Sequence, residues 1–182
     1  RETVQRVELF IKDFQLSPEH RSVVAPARRA AEKAQKDQRG DDGIYCGAAI
    51  ELRDGTIITG SNSPLLHAAS SVVIHAIKHL AGIPPKIRLL PSSITDSVNH
   101  LKTQILKEKS VSLDLEETLI ALSISATTNS AAQLAIEQLK ELDHCEVHMT
   151  HIPTPGDEAG LRQLGVNLTS DPNFSSKNLF IA

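Results

Sequence analysis

The chain has 182 residues, 40% of them hydrophobic, which gives one medium domain enough material for an ordinary packed core. Aromatic residues are only 3% and Trp is absent, so that core must be built from Leu, Ile, Val and Ala. A formal net charge of -3 argues against generic nucleic-acid binding, and no apolar run reaches membrane-spanning length.

The chain begins at Arg1, its only Met is Met149, and no export signal opens it. The expectation is a piece of a larger cytoplasmic protein, with Cys46 and Cys145 as buried, reduced thiols. Val4, Val7, Ile11 and Phe14 repeat at helical spacing. Ser17-Pro18-Glu19 then marks a second helix start, running to about Lys36, with Arg28-Arg29 expected on a solvated face. Polar residues 37–43 set the expected boundary between a helical connector, residues 1–40, and an α/β domain, residues 41–182.

Asp54-Gly55 between two apolar runs predicts a hairpin. An amphipathic helix over 64–80 follows, stopped by Gly82-Ile83-Pro84-Pro85. Ile87 to Leu90 reads as a short strand, and Pro91 opens a helix with Ile94, Val98, Leu101 and Ile105 on one face. Leu113 to Ala126 is a further helix with Ser112 as its cap, and Asn129 or Ser130 caps the next. Cys145 to Ile152 alternates as a strand, 155–164 is a short helix, and Val166 to Thr169 is the last strand before a polar tail. Strands separated by helices predict a three-layer α/β/α arrangement with a mixed sheet, preceded by the small helical segment.

His67-Ala68-Ala69 stands where zinc-dependent nucleoside deaminases carry His-Ala-Glu, and Pro91-Ser92-Ser93-Ile94-Thr95 stands where they carry Pro-Cys-x-x-Cys. The proton-moving Glu and both thiolates are missing, and neutral hydroxyls are poor zinc ligands. The order of elements therefore resembles the deaminase fold while the zinc chemistry is not expected. Cys145-x-x-His148-x-x-His151 has metal-like spacing, but on a strand Cys145 and His148 point to opposite faces, as do His148 and His151. The plainer reading is a half-buried strand with its polar residues on the exposed side. His75 and His79 lie one turn apart without a following Glu and read as helix surface. The hydroxyl-rich run Ser123 to Ser130 could bind an anion at a helix start, although capping alone explains Asn129 and Ser130.

Several segments together resemble the domain of unknown function 1846 family. They are Leu52 to Gly60 (LRDGTIITG), Leu65-Leu66 with Ala68-Ala69-Ser70-Ser71, Leu119 to Asn129 (LIALSISATTN), Cys145 to His148, and Leu164 to Thr169. The match spans roughly Gly43 to the end and keeps its order. The resemblance implies a C-terminal subdomain with a cytidine-deaminase-like fold. It also implies a larger parent whose N-terminal α/β region holds a glycine-rich, nucleotide-binding-like segment. It lends no catalytic residue and no cofactor. His67 stands where the resemblance leads one to expect a small residue such as Gly, which would make the deaminase echo accidental.

The sequence thus leads to the C-terminal part of an enzyme acting on a nucleotide or other phosphorylated metabolite without zinc. Thr59, Asn62, Asn129 and His148 are its candidate pocket residues. The expected partners are the N-terminal part of the same parent and further copies in a homo-oligomer. The alternative is an oligomerisation module with no site of its own.

Overall fold

The computed structural model of the protein describes residues 9–108 and 110–175. The Val4 and Val7 end of the first predicted helix and the last residues of the polar tail lie outside them. Four strands form one sheet: β1 Gly47–Glu51, β2 Ile57–Ser61, β3 Glu146–Met149 and β4 Asn167–Ser170. Their spatial order is β2-β1-β3-β4, with β1 antiparallel to both neighbours and β3 parallel to β4. The predicted mixed sheet is therefore present.

The hairpin joining β1 to β2 closes as the Asp54-Gly55 pair predicts. Leu52 and Thr56 are joined through the backbone, Thr56 N–H donates to Asp54 Oδ1 at 2.9 Å, and Gly55 takes φ 83°. Helices cover both faces of the sheet and complete three layers. They are α1 Val24–Lys36, α2 Ala68–Leu80, α3 Ser92–His100, α4 Leu115–Ala126, α5 Ser130–Ile136 and α6 Pro155–Gln163.

Register decides which side each strand residue serves. Ala48 and Ile50 of β1 pair with Met149 and Val147 of β3, and all four join the main core with Ala69, Val72 and Ile77 of α2 and Leu122 of α4. Ile50, Ile77 and Leu122 are fully buried, each contributing about 1.5–3 kcal/mol of transfer free energy. Ala49 faces the other way and packs with Val23 and Ala27 under α1. Gly60 is a site of close approach: a Cβ there would overlap the backbone of Ser71 and Val72, so β2 can sit against α2 only with glycine at that position.

Helix α1, which the sequence places in the leading connector, forms one outer layer of this sheet. Ionic straps hold it there. Arg28 donates from Nε and Nη2 to Asp171 Oδ2 and Oδ1 at 3.0 and 2.8 Å and also pairs with Glu19. Arg21 reaches Glu146, Thr169 and the Asn167 carbonyl across the sheet. Arg28 is thus a strap rather than the solvated residue expected, while Arg29 remains exposed.

Other boundaries shift for local reasons. The helix expected from Ser17 splits into a 3₁₀ turn, Pro18–His20, and α1, because Arg21 is extended (ψ 123°). The helix expected from residue 64 begins at Ala68, since the Ser63 hydroxyl takes the Leu65 and Leu66 amides into a turn. Ile87 to Leu90 is not a strand. The Arg88 and Leu89 carbonyls accept from the Asn129 side chain, and the Ser125 hydroxyl donates to Leu89 O, so no neighbouring strand is needed. Helix α3 continues as a π turn over Leu101–Ile105, and α5 as a 3₁₀ stretch over Glu137–Leu142. The cap of α4 is Asp114 rather than Ser112, with Glu117 returning the bond in a capping box.

Candidate functional site

Three helix starts meet beside the ends of β2 and β3. The caps are His67 for α2, Asp114 for α4 and Thr154 for α6. Each helix start presents amide donors without intrahelical partners and the positive end of a dipole, which favours a negative group there. Asp157, in the first turn of α6, fills that role. Its side chain is 3% exposed, and it takes three bonds. Leu115 N–H donates to Oδ1 at 3.0 Å, while the Thr154 hydroxyl and His67 Nδ1 each reach Oδ2 at 2.8 Å.

These bonds fix the chemistry of His67. A carboxylate only accepts, so Nδ1 carries the hydrogen and Nε2 is left as the free acid–base position. Among the described residues no group bonds Nε2, and the side chain is 24% exposed. Burial presses the imidazolium toward losing its proton. The bond to Asp157, its charge, and that of Asp114 outweigh burial and the opposing Lys102 ammonium, so His67 titrates above the usual histidine value.

The pair lines a cavity of about 360 Å³, of the size small-molecule sites use. Cys46 at the start of β1, Asn62 after β2, Met149 and His151 at the end of β3, and Ser112 before α4 share its wall. Burial, reinforced by the Asp157 charge, pushes the Cys46 thiol up to about 12, so it is a neutral wall group and not a thiolate. His151 is held below the usual value by burial, opposed by Asp171, and its Nδ1 is paired with the Thr150 hydroxyl at 2.9 Å. No group of three or more His, Cys, Asp or Glu side chains among the described residues is placed to hold a metal ion.

The four residues singled out by sequence are not brought together. Asn62 lines the cavity, but its amide is spent on backbone: Oδ1 accepts from Cys46 N–H at 2.8 Å and Nδ2 donates to Ile44 O at 3.0 Å. Thr59 is exposed on β2, with its carbonyl accepting from His75 Nδ1. Asn129 caps α5, accepting from Ala131 and Ala132 N–H, and ties that cap to the Arg88 carbonyl.

His148 belongs to the opposite face of the sheet, opposite Ala49, and is 3% exposed beneath α1 rather than on an open side. Its Nδ1 meets the Thr169 hydroxyl at 2.9 Å. Its Nε2 lies 3.4 Å from Asp171 Oδ1, close enough for charge attraction but outside hydrogen-bond geometry. Burial lowers its pKa, with Asp171 opposing.

Sequence reasoning passed over the pair that matters here. Thr154-Pro155-Gly156-Asp157 carries a helix-start signature, a capping Thr, Pro at the first position and an acid in the first turn, and that much was legible. Its contact with a histidine 90 positions earlier was not. Ser92 and Thr95, aligned by sequence with the deaminase thiolates, line a separate groove and not the cavity that holds His67.

A mixed sheet between helical layers, with a cavity at the strand and helix ends, defines an α/β domain. The chain belongs to the family described as Domain of unknown function DUF1846, C-terminal, whose profile matches residues 19–180. It is 41% identical over 175 residues, 96% of its length, to a UPF0371 protein of Clostridioides difficile strain 630. It is likewise 41% identical over 181 residues to a UPF0371 protein of Clostridium botulinum strain Alaska E43, and 37% over 180 residues to one of Clostridium tetani, 99% of the chain in both cases. The chain spans only 35–36% of the length of these relatives, which places it as a part of a larger protein. The family has no established function. No helix among the described residues is long and apolar enough to cross a membrane.

Proposed function

We propose that this domain supplies a small-molecule site to a larger cytoplasmic enzyme, with His67 as the group that exchanges a proton or hydrogen bond with the ligand. The observation that carries the reading is the buried Asp157 carboxylate bonded to His67 Nδ1 at 2.8 Å. It fixes the tautomer, raises the basicity and leaves Nε2 open, an arrangement general acid–base catalysis uses. The ligand is a polar metabolite of nucleoside size, consistent with the 360 Å³ cavity and its Ser112 and His151 walls. Two free buried thiols, Cys46 and Cys145, agree with a cytoplasmic location.

A melting-temperature screen of the chain against nucleosides, nucleotides and sugar phosphates tests this. One class is expected to raise the wild-type Tm in a saturable way and to lose that effect in His67→Gln. A flat response across the panel, or an equal response in His67→Gln, contradicts it.

A second reading has support of its own. Ile120 and Ile124, one turn apart on α4, are 64% and 51% exposed, and Leu134 on α5 is 61% exposed. Such apolar surface suits assembly with the rest of the parent or with another copy. Sizing by light scattering decides it, since a strictly monomeric chain removes the homo-oligomer.

A further inference from the structure

Among the described residues two lysines are buried, and they differ in one respect. Lys102 is 6% exposed and its ammonium meets Glu117 Oε2 at 2.7 Å and Glu108 at 3.6 Å, besides the Ser112 carbonyl. Its charge is compensated, as buried charges normally are. Lys78, on α2, is 8% exposed and has no carboxylate partner among the described residues. Its Nζ donates to the Pro85 and Ile87 carbonyls, both at 2.6 Å, which leaves the third N–H and the net charge without a match. Desolvation alone depresses its pKa, and no charged neighbour offsets it.

Lys78 opens on a groove of about 330 Å³ between α2 and the segment leading into α3. Arg88 and His75 line the same groove, and among the described residues no acidic one does. Ser92, the first residue of α3, is also in its wall. The cap of α3 is Pro91, which has no side-chain acceptor, so the helix start keeps its positive character toward the groove. The turn Gly82-Ile83-Pro84-Pro85 that ends α2 brings the Pro85 and Ile87 carbonyls over Lys78 and so holds its ammonium at the groove wall.

We propose that this groove is an oxyanion site, with Lys78 as the central charge, Arg88 as the outer clamp and the first amides of α3 as further donors. The ligand group is a phosphate or a carboxylate. The bound anion would supply the compensation that Glu117 and Glu108 give Lys102. The site is separate from the His67 cavity, and its failure would leave that cavity's reading intact.

The test is a titration of the chain with sodium phosphate and, separately, sodium acetate, at constant ionic strength held with sodium chloride. It is followed through the Ser92 and Ser93 backbone amide signals in nitrogen-15 spectra. A saturable shift of those amides is expected with at least one anion. The tighter of the two assigns the group as phosphoryl or carboxylate. Arg88→Ala, which removes an exposed side chain, should weaken binding about tenfold, and Lys78→Met should abolish it. Arg88→Ala decides the matter if Lys78→Met fails to fold. No saturable shift with either anion overturns the proposal. Saturation unchanged by Arg88→Ala overturns it as well, and identifies an adventitious ion only.

Discussion

Replacing Asp157 separates what holds the three helix starts together from what tunes His67. In Asp157→Ala, Leu115 N–H, the Thr154 hydroxyl and His67 Nδ1 lose their acceptor inside the fold. Hydrogen bonds to charged groups contribute about 1.5–3 kcal/mol each, and an orphaned buried donor costs about 1–3 kcal/mol. Thr154 and His67 can turn toward water, so the net loss is expected at about 3–5 kcal/mol.

In Asp157→Asn the new amide oxygen can keep the Leu115 bond, Thr154 can rotate, and His67 can shift its hydrogen to Nε2. That variant should lose only about 1–2 kcal/mol. Its pH dependence is the sharper readout. In the wild type, His67 has a raised folded pKa, so its contribution is complete below about 6.5, the unfolded value, and fades as pH rises through the raised value. In Asp157→Asn burial and the Lys102 ammonium outweigh the remaining Asp114 charge, and the His67 contribution instead falls as pH drops below about 6.5. Urea unfolding of both proteins should therefore show a stability gap that is wider at pH 5.5 than at pH 8. A gap independent of pH, or an Asp157→Ala variant within about 1 kcal/mol of wild type, refutes the reasoning.

Three further outcomes follow from the geometry. Asn129→Ala should cost about 1–2 kcal/mol in urea melts through the lost α5 cap while leaving ligand response in the His67 cavity intact. A lost response would make Asn129 a ligand contact. Gly60→Ala, whose Cβ would overlap the Val72 backbone, should destabilise by about 1–3 kcal/mol, and a neutral result would show that β2 and α2 can part freely. Cys46, with its thiol near 12, should resist iodoacetamide at pH 8 in the folded chain and react in urea; prompt labelling of the native protein would contradict its placement.

The layers of the fold were legible wherever a local signal agreed with the tertiary answer. Asp54-Gly55 signalled the hairpin turn, Asn129 was one of two candidate caps and is the cap observed, and the alternation around Val147 assigned opposite faces to Cys145 and His148 correctly. The exceptions have one cause in common. Ile87 to Leu90 has strand composition, but its carbonyls are taken by Asn129 and Ser125 from another helix. Arg28 sits on a charged helix face that ought to be wet, but the end of β4 delivers Asp171 to it. His148 was placed on an exposed side because a single strand cannot reveal that α1 folds back over it.

The same limit hid the contact between His67 and Asp157. Asp157 and His67 are each ordinary in their own segments, a first-turn acid and a cap-position histidine, and only the convergence of α2, α4 and α6 makes them a pair. The deaminase resemblance pointed to the start of α2, where His67 stands, but only through the zinc ligands that are missing there. The property that distinguishes His67 is its carboxylate partner.

The most direct test of the central reading is the long-range proton–nitrogen-15 spectrum of the His67 ring, followed as a function of pH. The account predicts a neutral ring protonated at Nδ1, a titration midpoint above 6.5, and a change at Nε2 when a cavity ligand binds. A ring protonated at Nε2, or a midpoint below 6.5, would contradict it.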